Sequence, residues 1–175
     1  MPGQCVNVNR APVLTLWSAV VAERLGFEWN EALSLGKAVA GLNAQAKGRT
    51  LGLFKVRAAG EIGKGRRRGE EFWIEICGRP VPAKQTEEGV RAVVLDKPID
   101  PGKVDEYLHQ KFGEDLKVVR DAMVALARGY DPESLAEAAF ALYEKFHPQI
   151  PAGKAGWGAK GTLDLGLVRS LARGA

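Results

Sequence analysis

Apolar residues in this chain recur at helical spacing from Pro12 to Lys47, alternate in twos between Leu51 and Leu95, and return to helical spacing after Asp100. A period of 3.6 buries one stripe of a helix and a period of 2 buries one face of a strand, so neither pattern can serve for the other. Helices, then strands, then helices in separate blocks predict an α+β fold and exclude alternating βαβ units. The expectation is an N-terminal helix pair, a small antiparallel sheet of about three strands, and a C-terminal helical bundle. With 175 residues the chain can build one sizeable core or two small ones. Lys97-Pro98 is the natural boundary. It separates a basic helix-plus-hairpin region, 1–98, from a helical region, 99–175, that either packs on the first or stands as a second domain.

The first helix is expected from Pro12 to Leu25, ended by Gly26. Its segment Ala11–Ala22 is too short to span a bilayer and runs into Glu23-Arg24, so it reads as a buried helix and not as a leader or a membrane segment. The second helix starts after Asn30 as N-cap and reaches Lys47. Gly36, Ala38, Ala40, Gly41, Ala44 and Ala46 let it approach its partner closely. Strands are expected at Leu51–Arg57, Phe72–Cys77 and Val90–Leu95, with turns at Gly78-Arg79-Pro80 and Glu87-Glu88-Gly89. Asp100-Pro101 opens a helix that Gly113 breaks, and a second follows through Leu116 and Leu126. Asp131-Pro132 opens a third, and a fourth runs from about Leu163 to Ala172 with Thr162 or Asp164 as its cap.

Charge is distributed unevenly over this framework. The net charge is +4, yet between Lys37 and Gly69 nine Lys and Arg stand against one acid, Glu61, a net +8 in 33 residues. From Asp100 onward ten bases face eleven acids. The densest point is Lys64-Gly65-Arg66-Arg67-Arg68, fenced by Gly63 and Gly69. Unpaired guanidinium groups are too costly to bury, so this arm sits in solvent, and its sign favours phosphates or an acidic protein as partner. Lys47, Arg49, Lys55 and Arg57 extend the patch toward the second helix. Cations close to successive phosphates release counterions, which supplies most of the free energy of non-specific nucleic-acid binding. The expected function is therefore nucleic-acid binding through this patch. The alternatives are a module that docks an acidic protein or self-associates, and an enzyme whose site does not show in sequence.

The same arm has plainer readings. It can be a solvated loop that protects a sheet edge, or it can pair with Glu70, Glu71, Glu87 and Glu88. Two helices followed by a hairpin also resemble a winged helix-turn-helix in outline, with the arm as the wing. That reading requires the second helix to break near Gly36 or Gly41, leaving Lys37–Lys47 as recognition helix with Asn43 and Gln45 toward base edges.

Gly156-Trp157-Gly158-Ala159-Lys160-Gly161 matches GxGxxG formally, but no strand precedes it and the chain ends fourteen residues later, so it is no dinucleotide fingerprint. Lys154, Trp157 and Lys160 could still meet an anion near a helix N-terminus, with Trp157 stacking on a base; otherwise Trp157 plugs a groove and fastens the last helix. His109 falls on a polar helix face and His147 at a helix end, and neither has a nucleophile or carboxylate at motif spacing. The acids Asp100, Asp105, Glu106, Glu114, Asp115 and Asp121 read as a solvated face balanced by Lys103, Lys111, Lys117 and Arg120, in preference to a Mg²⁺ site. No cofactor or metal is expected. Cys5 and Cys77 form neither a metal motif nor a disulfide framework, which suits a reducing cytoplasm.

Overall fold

The computed structural model describes residues 5–46, 71–76, 79–87, 89–94, 97–148 and 160–173. The fold is α+β. Strand β1 (Cys5–Asn9) leads into helices α1 (Arg10–Arg24) and α2 (Trp29–Ala46). Strands β2 (Glu71–Ile76), β3 (Arg79–Thr86), β4 (Gly89–Val94) and β5 (Lys97–Pro98) follow. Then come α3 (Pro101–Phe112), a 3₁₀ turn at Gly113–Asp115, α4 (Leu116–Arg128) and α5 (Pro132–Phe146). Strand β6 (Lys160–Asp164) and helix α6 (Leu165–Arg173) end the described chain.

Helix α1 is apolar on every side, and Pro12 through Ala22 are all buried, the fate of a helix with no polar stripe. The buried hydroxyl of Thr15 donates back to the Ala11 carbonyl at 2.9 Å. Gly26, at φ 116°, ends the helix. Phe27 N–H donates to Ala22 O and Gly26 N–H to Glu23 O, both at 3.1 Å, the double closure of a Schellman turn. The turn folds α2 back against α1. At Gly36 the two backbones come so close that a Cβ would lie 2.5 Å from the Thr15 carbonyl oxygen and 3.0 Å from the Ala19 nitrogen. Helix α2 begins at Trp29, two residues earlier than expected, which places Asn30 inside its first turn. Its leading donor is satisfied by Glu31, whose Oε1 accepts from Glu28 N–H at 2.9 Å.

The sheet is antiparallel throughout, in the order β2-β3-β4-β5. Strand β3 takes in Arg79 and Pro80 of the turn expected at Gly78-Arg79-Pro80, while Gly78 lies outside the described residues. Pro80 and Pro82 pair with Glu75 and Trp73 of β2, in the section of β3 that extends past its pairing with β4. Two residues apart, the prolines face the same edge, where no strand among the described residues requires their absent donors. Helix α2 lies across the sheet and is tied to it by two side chains. Glu31 Oε2 accepts from Val90 N–H at 2.7 Å. The buried Ser34 hydroxyl accepts from Ala92 N–H at 2.9 Å and donates to the Ile99 carbonyl at 2.8 Å. The expected strand at Leu51–Arg57 lies outside the described residues.

The C-terminal helices start where Asp100 and Asp131 place them. Asp100 accepts from Gly102 N–H at 3.0 Å and Asp131 from Ser134 N–H at 2.8 Å, each ahead of a proline. Gly113, at φ 57°, separates α3 from α4. Helix α6 starts at Leu165, with Asp164 Oδ1 accepting from Gly166 N–H at 2.9 Å. A further pairing joins the two ends of the chain, for β1 and β6 run antiparallel from Cys5↔Asp164 to Asn9↔Lys160. The buried apolar residues form one continuous cluster that reaches from Val6 to Val168. Trp17 of α1 stands at its centre. Its indole meets Phe146 edge-on at 5.3 Å between centroids and donates to the Ala139 carbonyl of α5 at 2.9 Å. Among the described residues no helix is long and apolar enough to cross a membrane.

Candidate nucleic-acid interface

Helix α2 is covered by α1, by the sheet and by α3, so almost its whole described surface is buried. Asn30 and Lys37 lie on the narrow strip left open. Lys37 is the first of the nine cations between Lys37 and Gly69, and its surroundings are specific. Its Nζ stands 4.0 Å from the centroid of the Tyr107 ring on α3, a cation–π contact. Lys111, one turn further along α3, brings its own Nζ to 5.9 Å from the same ring. Lys103, one turn before Tyr107, is exposed on the same flank. Two lysines from two helices thus meet on one tyrosine, with Lys103 exposed on the same flank of α3.

The electrostatics of this cluster follow from its packing. Half-burial pushes the Lys37 ammonium below the ordinary lysine range, and the like charge of Lys111 lowers it further. Burial pushes the Tyr107 hydroxyl up. Tyr107 is therefore a neutral, amphipathic post between two cations. Two acids at the start of α3 have partners away from the ring. Asp100 caps the helix, and Asp105 lies 3.5 Å from the His109 ring on another flank. On α4, Lys117 donates to Asp121 at 3.0 Å. Each of these carboxylates has a local partner, which fits the reading of the acidic tract as a balanced, solvated face.

Of the residues singled out in the sequence, Lys47, Arg49, Lys55, Arg57, Lys64, Arg66, Arg67, Arg68, Lys154 and Trp157 lie outside the described residues. Lys160 is the first residue of β6 and pairs with Asn9. Glu71, one of the acids offered as a partner for the arm, stands opposite Lys84 in the β2–β3 register, and Glu87 is exposed in the turn after β3. The condition for a winged helix-turn-helix is not met, because α2 is continuous through both Gly36 and Gly41. Gly36 serves the contact with α1 and does not break the helix.

In the sequence Lys111 reads as one of the charges balancing the acidic tract. The spacing Lys103-Tyr107-Lys111 was a visible signal that one helix flank carries two cations and a ring. The approach of Lys37 from α2 was not visible, because it depends on how α2 crosses α3. The histidines are apart from this cluster. His109 is exposed on α3, and His147 closes α5 with its Nδ1 3.2 Å from the Pro148 carbonyl oxygen. Compared with known proteins, the chain matches no family model, no curated protein and no solved structure at a significant level.

Proposed function

We propose that this chain binds nucleic acid, chiefly through its phosphates, using the cationic stretch Lys37–Gly69 with Lys103 and Lys111 beside its first member. The observation that carries this reading is the gathering of Lys37 and Lys111 around Tyr107. Two ammonium groups held on one ring disfavour each other, and the Lys111 charge adds to burial, the larger cause, in lowering the proton affinity of Lys37. An anion between them relieves that repulsion, and a phosphate is the anion that a run of further cations can also follow along a strand. Helix α2 ends at Ala46 and the described chain resumes at Glu71, so the other eight cations of the stretch belong to the segment that connects this helix to the sheet.

The test is fluorescence anisotropy with labelled duplex and single-stranded oligonucleotides at low salt. Binding is expected to weaken steeply with added salt, and Arg66→Ala, Arg67→Ala and Arg68→Ala together are expected to weaken it at every salt concentration. Absence of binding at low salt would remove the reading. A pull-down of an acidic protein that survives nuclease treatment, without oligonucleotide affinity, would replace it with the protein-docking alternative.

A further inference from the structure

A second cationic feature lies away from the Lys37 cluster, in a cleft of about 590 Å³ between α1 and α4. Val20, Val124 and Ala127 give it an apolar floor, and Glu23, Arg24, Arg120, Asp121 and Arg128 give it charged walls. The volume lies in the range of small-molecule sites. The charged side chains differ in how far their hydrogen bonding is satisfied. Asp121 accepts from Lys117 at 3.0 Å. The three arginines are donor-rich and largely unspent. Arg24 gives one bond, from Nη2 to the Tyr130 carbonyl at 2.9 Å, and its charge also acts on the Asp131 carboxyl, while its Nε is buried without a hydrogen-bond partner among the described residues. Arg120 has its guanidinium carbon 3.9 Å from the Trp29 ring centroid and reaches Glu23 only at 3.8 Å, beyond hydrogen-bond range. Arg128 has no hydrogen-bond or ion-pair partner among the described residues.

Arg24 and Arg128 close the last turns of their helices, where the dipole favours a cation. That accounts for their sign. It does not account for their meeting Arg120, from the second turn of α4, across one cleft. Three like charges with unused planar donors call for an acceptor that several guanidinium groups can share, and oxyanions have that geometry. Trp29 holds the Arg120 guanidinium in place, which reduces the ordering cost of such contact.

The geometry points to a binding site for a compact phosphate-bearing ligand in this cleft, held by Arg24, Arg120 and Arg128, with Glu23 opposing and thereby limiting its affinity. A free phosphorylated small molecule and the terminal phosphate of an oligonucleotide share the chemistry. The site is independent of the arm, and its test is made so that the two readings fail separately.

Inorganic pyrophosphate is titrated calorimetrically into the full chain carrying Arg66→Ala, Arg67→Ala, Arg68→Ala, Lys37→Gln and Lys111→Gln, which removes the densest charge of the arm and both lysines at Tyr107. One saturable site per chain is expected. Arg128→Gln, at an exposed position that does not endanger folding, is expected to weaken it about tenfold, the effect of one charge-assisted hydrogen bond. Glu23→Gln is expected to tighten it. A second arm compares an oligonucleotide with and without a 5′-phosphate. A gain from the phosphate that Arg128→Gln abolishes identifies a nucleic-acid end as the source, and no gain beside intact pyrophosphate binding identifies a free small molecule. Absence of saturable pyrophosphate binding, or binding indifferent to both Arg128→Gln and Glu23→Gln, would overturn the proposal.

Discussion

The indole Nε1 of Trp17 and the carbonyl of Ala139, 122 residues apart in sequence, share a buried hydrogen bond of 2.9 Å. It fastens the buried helix α1 to α5 at the point where Phe146 closes on the same ring. Trp17→Phe keeps an aromatic side chain but removes the donor and part of the volume. The expected cost is about 2 kcal/mol, from a lost buried hydrogen bond and a small cavity. Chemical denaturation read by far-UV circular dichroism checks it, and a change within error would show that the bond carries no net stability.

Gly36→Ala tests the contact between α1 and α2. The new methyl would lie 2.5 Å from the Thr15 carbonyl oxygen, a backbone atom that cannot swing aside. Forcing the helices apart is expected to cost about 3 kcal/mol. Gly102→Ala is the control. Its Cβ would meet nothing closer than 3.4 Å, in the exposed first turn of α3, so a neutral or slightly stabilising effect is expected. The denaturation midpoint of Gly36→Ala should fall well below the parent value, and that of Gly102→Ala at or slightly above it.

Asp131 gives the fold a defined acid sensitivity. Hydrogen bonds from the Ser134 backbone and hydroxyl hold its carboxyl below the usual aspartate value of 3.8. A carboxyl whose folded value is depressed contributes stability that is fully present above the unfolded value and lost as pH falls through the folded one. The difference in melting temperature between the parent and Asp131→Ala is therefore expected to be constant above about pH 5 and to shrink below pH 3.8. A difference that persists unchanged into strong acid would contradict the capping role.

How much of this could be read from residues alone follows from which contacts are local. Asp100-Pro101 and Asp131-Pro132 announced their helices because cap and first turn lie within four residues of each other. Gly113 announced its break for the same reason. Strand β3 was hidden by Pro80 and Pro82, which argue against a strand until β4 is seen to pair only with its far end. The β1–β6 pair was hidden by distance, since Val6 and Val8 alone make too short an alternation to predict a strand whose partner lies at the other end of the chain. Ser34 and Glu31 looked like ordinary helix residues, and their hydrogen bonds to β4 exist only once α2 lies on the sheet. The Lys37 cluster is of the same kind. Its charge was legible, but the ring and the second lysine that give it a site came from α3.

The central claim is that Lys37 and Lys111 contribute contacts to phosphate, and the salt dependence of oligonucleotide binding by Lys37→Gln with Lys111→Gln tests it most directly. Each lost phosphate contact lowers the slope of log affinity against log salt by about 0.9 on duplex DNA. The double variant is expected to bind several-fold more weakly at low salt, with a slope reduced by about one to two and an unchanged melting temperature. Parent affinity and parent slope in the double variant would contradict the account.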